Sequence, residues 1–566
     1  MGSRPAGRPG RETGPGRSGR HDQYRSPPSC PKLRRGTGSS RRWASGGPSR
    51  TPVRAARRGR DRKADVVPAH EGRDRHTGGD APRCAVVGGG IAGLAAATLL
   101  AERGVDVTLY EREASLGGRL AGWPVELADG SAATMSRGFH AFFRQYYNLR
   151  GLLRRVDPGL ERLRGIGDYP LQHASGLYDS FARVPRTPPW NALGFAALSP
   201  SFRRDDLGGL DARAALPLLD VRLPELYARY DGISARALLQ RIGFPEAARH
   251  LAFEVFSRSF FADPDELSAA ELALMFHIYF LGSSEGLLFD VPDEPYPQAL
   301  WDPLARYLDG HGVRLRTGTP VHAVEPDPRG GHVVVTEEGT DRADALVLAL
   351  DPAGLRSLAA QSPTLCDDAW RARVGRLACA PPFLVHRIWL DRPVGADRPG
   401  FLGTSGYGPL DNISVLERWE GEALRWARKS GGSVVELHAY AAEPSSDPEA
   451  LSRTLLDELH RVYPETRRAR VVDERRLWRA DCPLFAVGGA DDRPTVDTPD
   501  PTVTVAGDLV RTDLPVALME RAATTGFLAA AAHLRRWGLR GQTLWTVPRR
   551  GRSAVLRGLA TLAGTS

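Results

Sequence analysis

The sequence predicts an α/β protein in which a parallel, doubly wound sheet is assembled from separated stretches of chain, with an α+β domain inserted between them. Three observations predict it. Residues 84–119 read as strand, glycine turn, helix, strand and second glycine turn. Two later apolar strands, at 345–350 and 502–506, each end in an acidic turn and read as returns to the same sheet. Between these returns the strand–helix alternation lapses, as expected of an insertion.

The first element is Ala85, Val86 and Val87, a short apolar run that suits a strand buried on both faces. Gly88, Gly90 and Gly93 then give G-x-G-x-x-G. The first glycine allows a tight turn, the second lets backbone approach a pyrophosphate, and the third lets helix pack on strand. A helix through Ala95–Arg103 follows, its free N–H groups facing the phosphates. Val105–Tyr110 is the next strand, closed by Glu111. Glu111 lies 18 residues beyond Gly93, placed to accept hydrogen bonds from a ribose. The whole unit predicts a Rossmann-like dinucleotide site. A glycine-rich turn that binds nothing would explain the glycines but not Glu111.

Composition sets the frame. A chain of 566 residues holds more than one domain. Its net charge of +9 is misleading, because residues 1–80 carry 18 Arg and 2 Lys against 7 acidic residues. That leader is rich in Arg, Gly, Pro and Ser and is expected to be disordered. It reads as a dispensable extension rather than a nucleic-acid arm, and nucleic acid is not an expected partner. Cys30, Cys84, Cys366, Cys379 and Cys482 lack C-x-x-C spacing, so no disulfide framework or metal site is expected, and a reducing cytoplasm fits. No apolar run reaches spanning length, so membrane contact would be peripheral.

In order, 81–150, 296–352 and 496–545 are expected to form the nucleotide-binding domain, and 151–295 and 353–495 the inserted domain. Glu271–Leu281 is apolar nearly all round and reads as core or as a greasy contact. Trp190–Phe195 is a second candidate contact. Val321–Val324 and His332–Thr336 read as a hairpin. Leu451, Leu455, Leu459 and Val462 mark one face of a helix. Residues 546–566 are a basic tail expected to fray. Gly282–Gly286 matches G-x-S-x-G but follows a helix rather than a strand, so a hydrolase elbow is rejected.

Four motifs occur in order: Gly88–Gly93 with Glu111; Leu116, Gly117, Gly118 and Arg119; the strand ending Leu350, Asp351, Pro352; and Gly507, Asp508 with Met519, Glu520. Together they resemble the flavin-containing amine oxidase and carotene desaturase superfamily over roughly residues 83–540. The resemblance implies an FAD-binding domain with a substrate domain of the amine oxidase/phytoene desaturase type. It implies that the glycine turn, with Ile91 and Ala92 opening the helix, holds the FAD pyrophosphate. Glu111, beside Arg112, would hold the adenosine ribose, and Val321 would present backbone to adenine. Gly118, Arg119 and Ser136 would reach the flavin side. Gly507 and Asp508 would meet the ribityl end, and Met519 would lie beside the isoalloxazine at a helix N-terminus.

Within the superfamily, Met135–Leu149 and Ala517–Ala522 look like bacterial carotene desaturases. Pro382–Leu390 and Pro399–Asn412 look most like the actinobacterial isorenieratene synthase, or carotenoid φ-ring synthase, family. The implied substrate is a carotenoid, with β-carotene the expectation, and the implied setting is a cytoplasmic membrane face. The electron acceptor is not named by the sequence. Arg137 and His140 are the candidates beside the reacting ring, as electrostatic partner and proton acceptor. The alternatives are an acyclic, phytoene-type desaturase, another amine-oxidase-like enzyme, or a binding protein of the Rab dissociation-inhibitor type. Glu111, Arg119 and Asp508 argue against the last.

Overall fold

The computed structural model describes residues 61–564 except 203–207, 246–247 and 249–259. Its organising element is a five-stranded parallel sheet built from β1 (Arg83–Val87), β2 (Asp106–Tyr110), β3 (Arg314–Arg316), β4 (Ala345–Leu348) and β5 (Val503–Val505). The strand order is 3-2-1-4-5, and every pairing is parallel. β1 and β4 are buried between helices and neighbouring elements on both faces, which explains sequences with almost no polar residue.

Helix α1 (Ile91–Glu102) begins at Ile91, four residues before the sequence suggested, because extended Gly90 turns the chain straight into it. Eleven of its residues are buried. One face lies on the sheet and the other on α2 (Leu518–Arg536), so an apolar stripe would not suffice. The two helices touch backbone to backbone. A Cβ at Gly526 would come within 2.2 Å of the Ala92 carbonyl oxygen. Each of the fully buried Leu94, Leu99 and Leu100 contributes about 1.5–3 kcal/mol of burial.

Next to this sheet is a three-stranded meander, Val321–Pro326, His332–Thr336 and Gly339–Ala343, so the expected hairpin has a third strand. The expected boundary at 352/353 moves. Helices Pro352–Gln361 and Asp368–Gly375 put Leu355, Leu358, Trp370 and Val374 into one core with Val87, Leu346 and Val503. That stretch therefore stays with the nucleotide-binding side, held by apolar side chains spaced for a helix.

The other large element is a seven-stranded mixed sheet. Its order is Val471–Arg479, Phe383–Leu390, Ser433–Ala439, Asn412–Val415, Phe401–Ser405, Leu171–His173 and Tyr178–Asp179. Alternation assigns its faces. Leu384, Ile388, Leu390, Val435 and Leu437 pack under helix Pro448–Val462, whose Leu455, Leu459 and Val462 are buried as expected. Arg387, Glu436 and His438 point to the opposite face.

Two ends are tied down where disorder and fraying were expected. Asp65–Val67 pairs antiparallel with Leu544–Thr546. His70 Nε2 bonds the Leu539 carbonyl at 2.8 Å, and Asp61 pairs with Arg552. Residues 61–80 and 546–553 therefore belong to the folded body, through backbone pairing that composition does not reveal. Ala554–Gly564 is helical. Residues 1–60 of the expected leader lie outside the described residues.

Glu271–Leu281 is core. It forms helix Ala269–Phe276 and a wider turn His277–Leu281, with Glu271 and His277 fully buried. Trp190–Leu198, by contrast, is a helix that exposes Trp190 at 64%, Leu193 at 58% and Leu198 at 56%. Among the described residues no helix is long and apolar enough to cross a membrane.

Candidate active site

The glycine turns form a cradle that excludes side chains. Gly88 sits at φ +111°, and a Cβ there would lie 2.2 Å from the Ala349 oxygen. A Cβ at Gly93 would lie 1.9 Å from the Gly88 oxygen. At Gly90 the nearest atom would be Gly118 Cα at 3.8 Å, so its backbone stays open to a ligand. The second turn docks on the first, with Gly117 N–H donating to the Gly89 oxygen at 2.9 Å. Gly117 is held at φ +109° against Trp301, whose Nε1 donates to the Leu120 oxygen at 2.8 Å.

Glu111 accepts from Gly89 N–H at 2.7 Å and from Glu113 N–H at 2.9 Å. Burial raises its pKa. Its backbone oxygen accepts from Thr319 N–H at 2.9 Å, which brings the chain leading to Val321 beside it. Arg112 lies outward, 3.8 Å from Asp351. Ile91 and Ala92 form the first turn of α1.

At the other end of the cradle Arg119 donates to Asp508 at 2.5 Å, although the two are far apart in sequence. Burial alone would lower the Arg119 pKa, but Asp508 beside it outweighs that and raises it. Gly507 N–H donates to Thr525 Oγ1 at 3.0 Å, which fixes the turn against α2. α2 starts abruptly, with Leu518 at φ +52°. Met519 packs at its first turn, and Glu520 accepts from Asn148 and Leu149 N–H at 2.8 and 2.9 Å. The cradle, the carboxylate beyond it, and an acidic turn before a long helix fit FAD along their whole length.

Loop 136–140 leads from this cradle to the seven-stranded sheet. Arg137, expected as an electrostatic partner, is held by Asp481 at 2.5 and 2.6 Å, so it presents a neutralised pair. His140 Nδ1–H donates to the Gly138 oxygen at 2.9 Å, leaving Nε2 as the acceptor. Burial depresses its pKa to about 4, so the ring is neutral. Tyr296 O–H donates to the same Gly138 oxygen at 2.8 Å. Ser136 accepts from Arg387 at 2.8 Å and from Gly138 N–H at 3.3 Å.

Four residues here escape the sequence reading. Arg387 and Glu436 are directly paired across neighbouring strands. Glu436 Oε2 accepts from Arg387 at 2.6 and 2.9 Å, and its Oε1 bonds His438 at 2.9 Å. His438 Nδ1 bonds the Tyr440 hydroxyl at 2.6 Å. Burial would raise the Glu436 pKa, but Arg387 and His438 hold it near 2. Glu420 makes no side-chain hydrogen bond or ion pair among the described residues, and burial pushes it up to about 8. The available signal was charge interrupting the apolar strands Phe383–Leu390 and Ser433–Ala439. Around these groups, Phe139 stacks on Phe401 at 4.4 Å, with Tyr169, Phe289 and Trp419 close by.

A parallel sheet with a glycine cradle, joined to a mixed sheet by an aromatic-lined loop, defines a flavoprotein. The family model of flavin-containing amine oxidoreductases matches residues 91–534, and the chain belongs to that family. It is 71% identical to the carotenoid phi-ring synthase of Streptomyces griseus, over 91% of this chain and 99% of that one. It is 29% identical to the carotenoid phi-ring synthase of Chlorobaculum tepidum, over 83% and 91% of the two chains. Among solved structures, the cyclohexylamine oxidase of Brevibacterium oxydans aligns over 81% of this chain and all 100% of its own, with TM-score 0.57 and 17% identity, a likeness of fold.

Proposed function

We propose that the chain is an FAD-dependent carotenoid ring desaturase. It converts the β-ionone ring of β-carotene to an aromatic φ-ring by desaturation and a 1,2-methyl shift. The observation that carries this reading is the 71% identity to a carotenoid phi-ring synthase along nearly that protein's whole length. The aromatic surround of loop 136–140 supports it, because a ring cation is favoured by π faces and by exclusion of water.

Bound flavin supplies a hydride acceptor. The chain's own residues hold it and shape what happens beside it. Gly88, Gly90 and Gly93 would receive the pyrophosphate, and Glu111 the ribose. Arg119 and Asp508 would take the ribityl and flavin end. Neutral His140, with Nε2 free, is the group able to accept a proton from the ring after the methyl shift. The Arg137–Asp481 pair keeps loop 136–140 in place without presenting net charge to a cation.

A very apolar substrate requires access from a bilayer. The exposed Trp190, Leu193 and Leu198 side chains suit a peripheral contact, with Phe195 anchoring the helix by stacking on Phe181 at 4.6 Å.

The test is incubation of purified, FAD-loaded protein with β-carotene in lipid vesicles. Aromatic end groups in the product, read by mass and absorption spectrum, are expected. Unchanged β-carotene would sink the reading. Turnover of acyclic carotenes alone would establish the phytoene-type alternative.

A further inference from the structure

A small recess of about 20 Å³ lies behind loop 136–140, lined by His140, Tyr296, Arg387, Glu420, Glu436 and Glu294. That volume admits one water molecule, and the lining offers it polar partners. His140 and Glu294 both line it, and Glu294 pairs with the largely exposed Arg425 at 2.7 Å. Glu420, on the same lining, is the one carboxyl of the group for which the described residues show no side-chain hydrogen bond or ion pair. Its neighbours are otherwise engaged. Glu436 is held by Arg387 and His438, and Glu422 accepts from Thr134 N–H at 2.5 Å and from its hydroxyl at 2.9 Å.

Resting on the reading above, the geometry points to Glu420 as the relay by which the proton lost on aromatisation leaves the site. The ring C–H bond breaks, and its electron pair completes the aromatic ring. The proton forms an N–H bond at His140 Nε2. The imidazolium passes it through the water in the recess to the Glu420 carboxylate, which becomes a carboxylic acid. Glu420 then releases it past Glu294 to solvent. The hydride of this last desaturation goes to the flavin; the ring gives up two hydrides and two protons in all, so an external electron acceptor must reoxidise the flavin between the two desaturations for charge and atoms to balance.

The order of proton affinities runs downhill along this path. Burial leaves His140 at about 4, a ready donor once protonated, and raises Glu420 to about 8. The charged and titratable groups facing Glu420 are Arg387 and Glu436 from the sheet, Glu294 from the loop opposite, Glu422 and Arg425 from its own helix, and His140 and Tyr296 across the recess. Arg387 alone favours the ionised form strongly, and the three other carboxyls oppose it.

Two measurements test the relay. In flavin-free protein, infrared difference spectra should show protonated-carboxyl intensity that titrates near pH 8, to which buried Glu520 also contributes, and Glu420→Gln should remove the Glu420 component. In the FAD-loaded enzyme with β-carotene, the wild-type rate should fall as pH drops below about 8. Glu420→Gln should lose that limb and at least about tenfold in rate, with formate restoring part of it. Flavin content should match wild type. Glu420→Asp should keep the limb at reduced rate, and it decides the matter should the glutamine variant fail to fold. A variant with the wild-type rate and pH profile overturns the relay, as does infrared intensity near pH 8 that Glu420→Gln leaves undiminished. Wild-type protein that leaves β-carotene unchanged would instead remove the function from which the relay was argued.

Discussion

Beside the parallel sheet, Gly93 of α1 lies so close to the Gly88 oxygen that a methyl group does not fit. In the seven-stranded sheet, Glu436 lies fully buried between Arg387 and His438. The first region binds with backbone, and its requirement is the absence of side chains. The second arranges its site with buried charge, and its requirement is that every charged group keep its partner. A backbone site fails all at once when a Cβ intrudes. A charged site fails by degrees, since each lost partner has its own cost and its own pH dependence.

The largest effect should come from intruding on the cradle. Gly93→Ala places a Cβ 1.9 Å from the Gly88 oxygen and should give protein without flavin absorbance, even after incubation with excess FAD. Retained flavin would mean that the turn yields more easily than its geometry indicates.

Breaking the charged region comes next. Glu436→Gln leaves Arg387 buried and short of its counter-ion, a change costing about 3–5 kcal/mol in denaturant unfolding while flavin is retained. The pH dependence has a definite sign. Glu436 is held near 2 in the folded chain, below its ordinary 4.5. Its contribution is therefore complete above about 4.5 and is lost as pH falls toward 2. The gap in stability between wild type and variant should close across that window. Glu420 works the other way. Raised from 4.5 to about 8, its protonated form stabilises the fold below 4.5, and this is lost as pH rises through 8. Glu420→Gln should flatten that decline.

A gentler probe of the first region is Glu111→Ala. Loss of a charged hydrogen-bond acceptor should weaken FAD by about 1.5–3 kcal/mol in a flavin titration, leaving the fold intact. The smallest effect on flavin and fold should come from outside both regions. Trp190→Ser with Leu193→Ser removes exposed apolar surface, and each buried side chain is worth about 1.5–3 kcal/mol of bilayer affinity. Vesicle sedimentation should fall, with flavin content unchanged. Undiminished sedimentation would place the membrane contact elsewhere.

The two regions also differ in how far the sequence discloses them. The cradle is local: Gly88, Gly90, Gly93 and Glu111 stand at fixed spacings because one turn, one helix and one strand set the distance between phosphate and ribose. Arg119, Asp508 and Val321 were singled out only through likeness to known flavoproteins, and the Arg119–Asp508 pair itself was not legible, since nothing in spacing links the two. The Glu420–Arg387–Glu436–His438 group was not legible. Its members come from two strands and the start of a helix, and their meeting depends on sheet register. Arg137 shows the same limit. Its partner, Asp481, lies in a distant segment, and only the fold reveals that its charge is spent. The pairing of Asp65–Val67 with Leu544–Thr546 likewise leaves no trace in a composition dominated by arginine and glycine.

One feature of the parallel sheet bears on how the protein is made. β1 lies at the centre of the sheet with β2 on one side and β4 on the other, and β5 closes the far edge. During synthesis β1 and β2 leave the ribosome early, but the strand that covers the open side of β1 emerges only after the whole first insertion. β5, Asp508 and α2 come later still. The nascent chain therefore carries an apolar, unpaired strand edge through most of translation, which favours chaperone binding over early folding. Flavin capture must wait until translation has passed Asp508 and α2. Ribosome-arrested chains that stop before Val503 should hold no FAD, and those extending through Arg536 should acquire it.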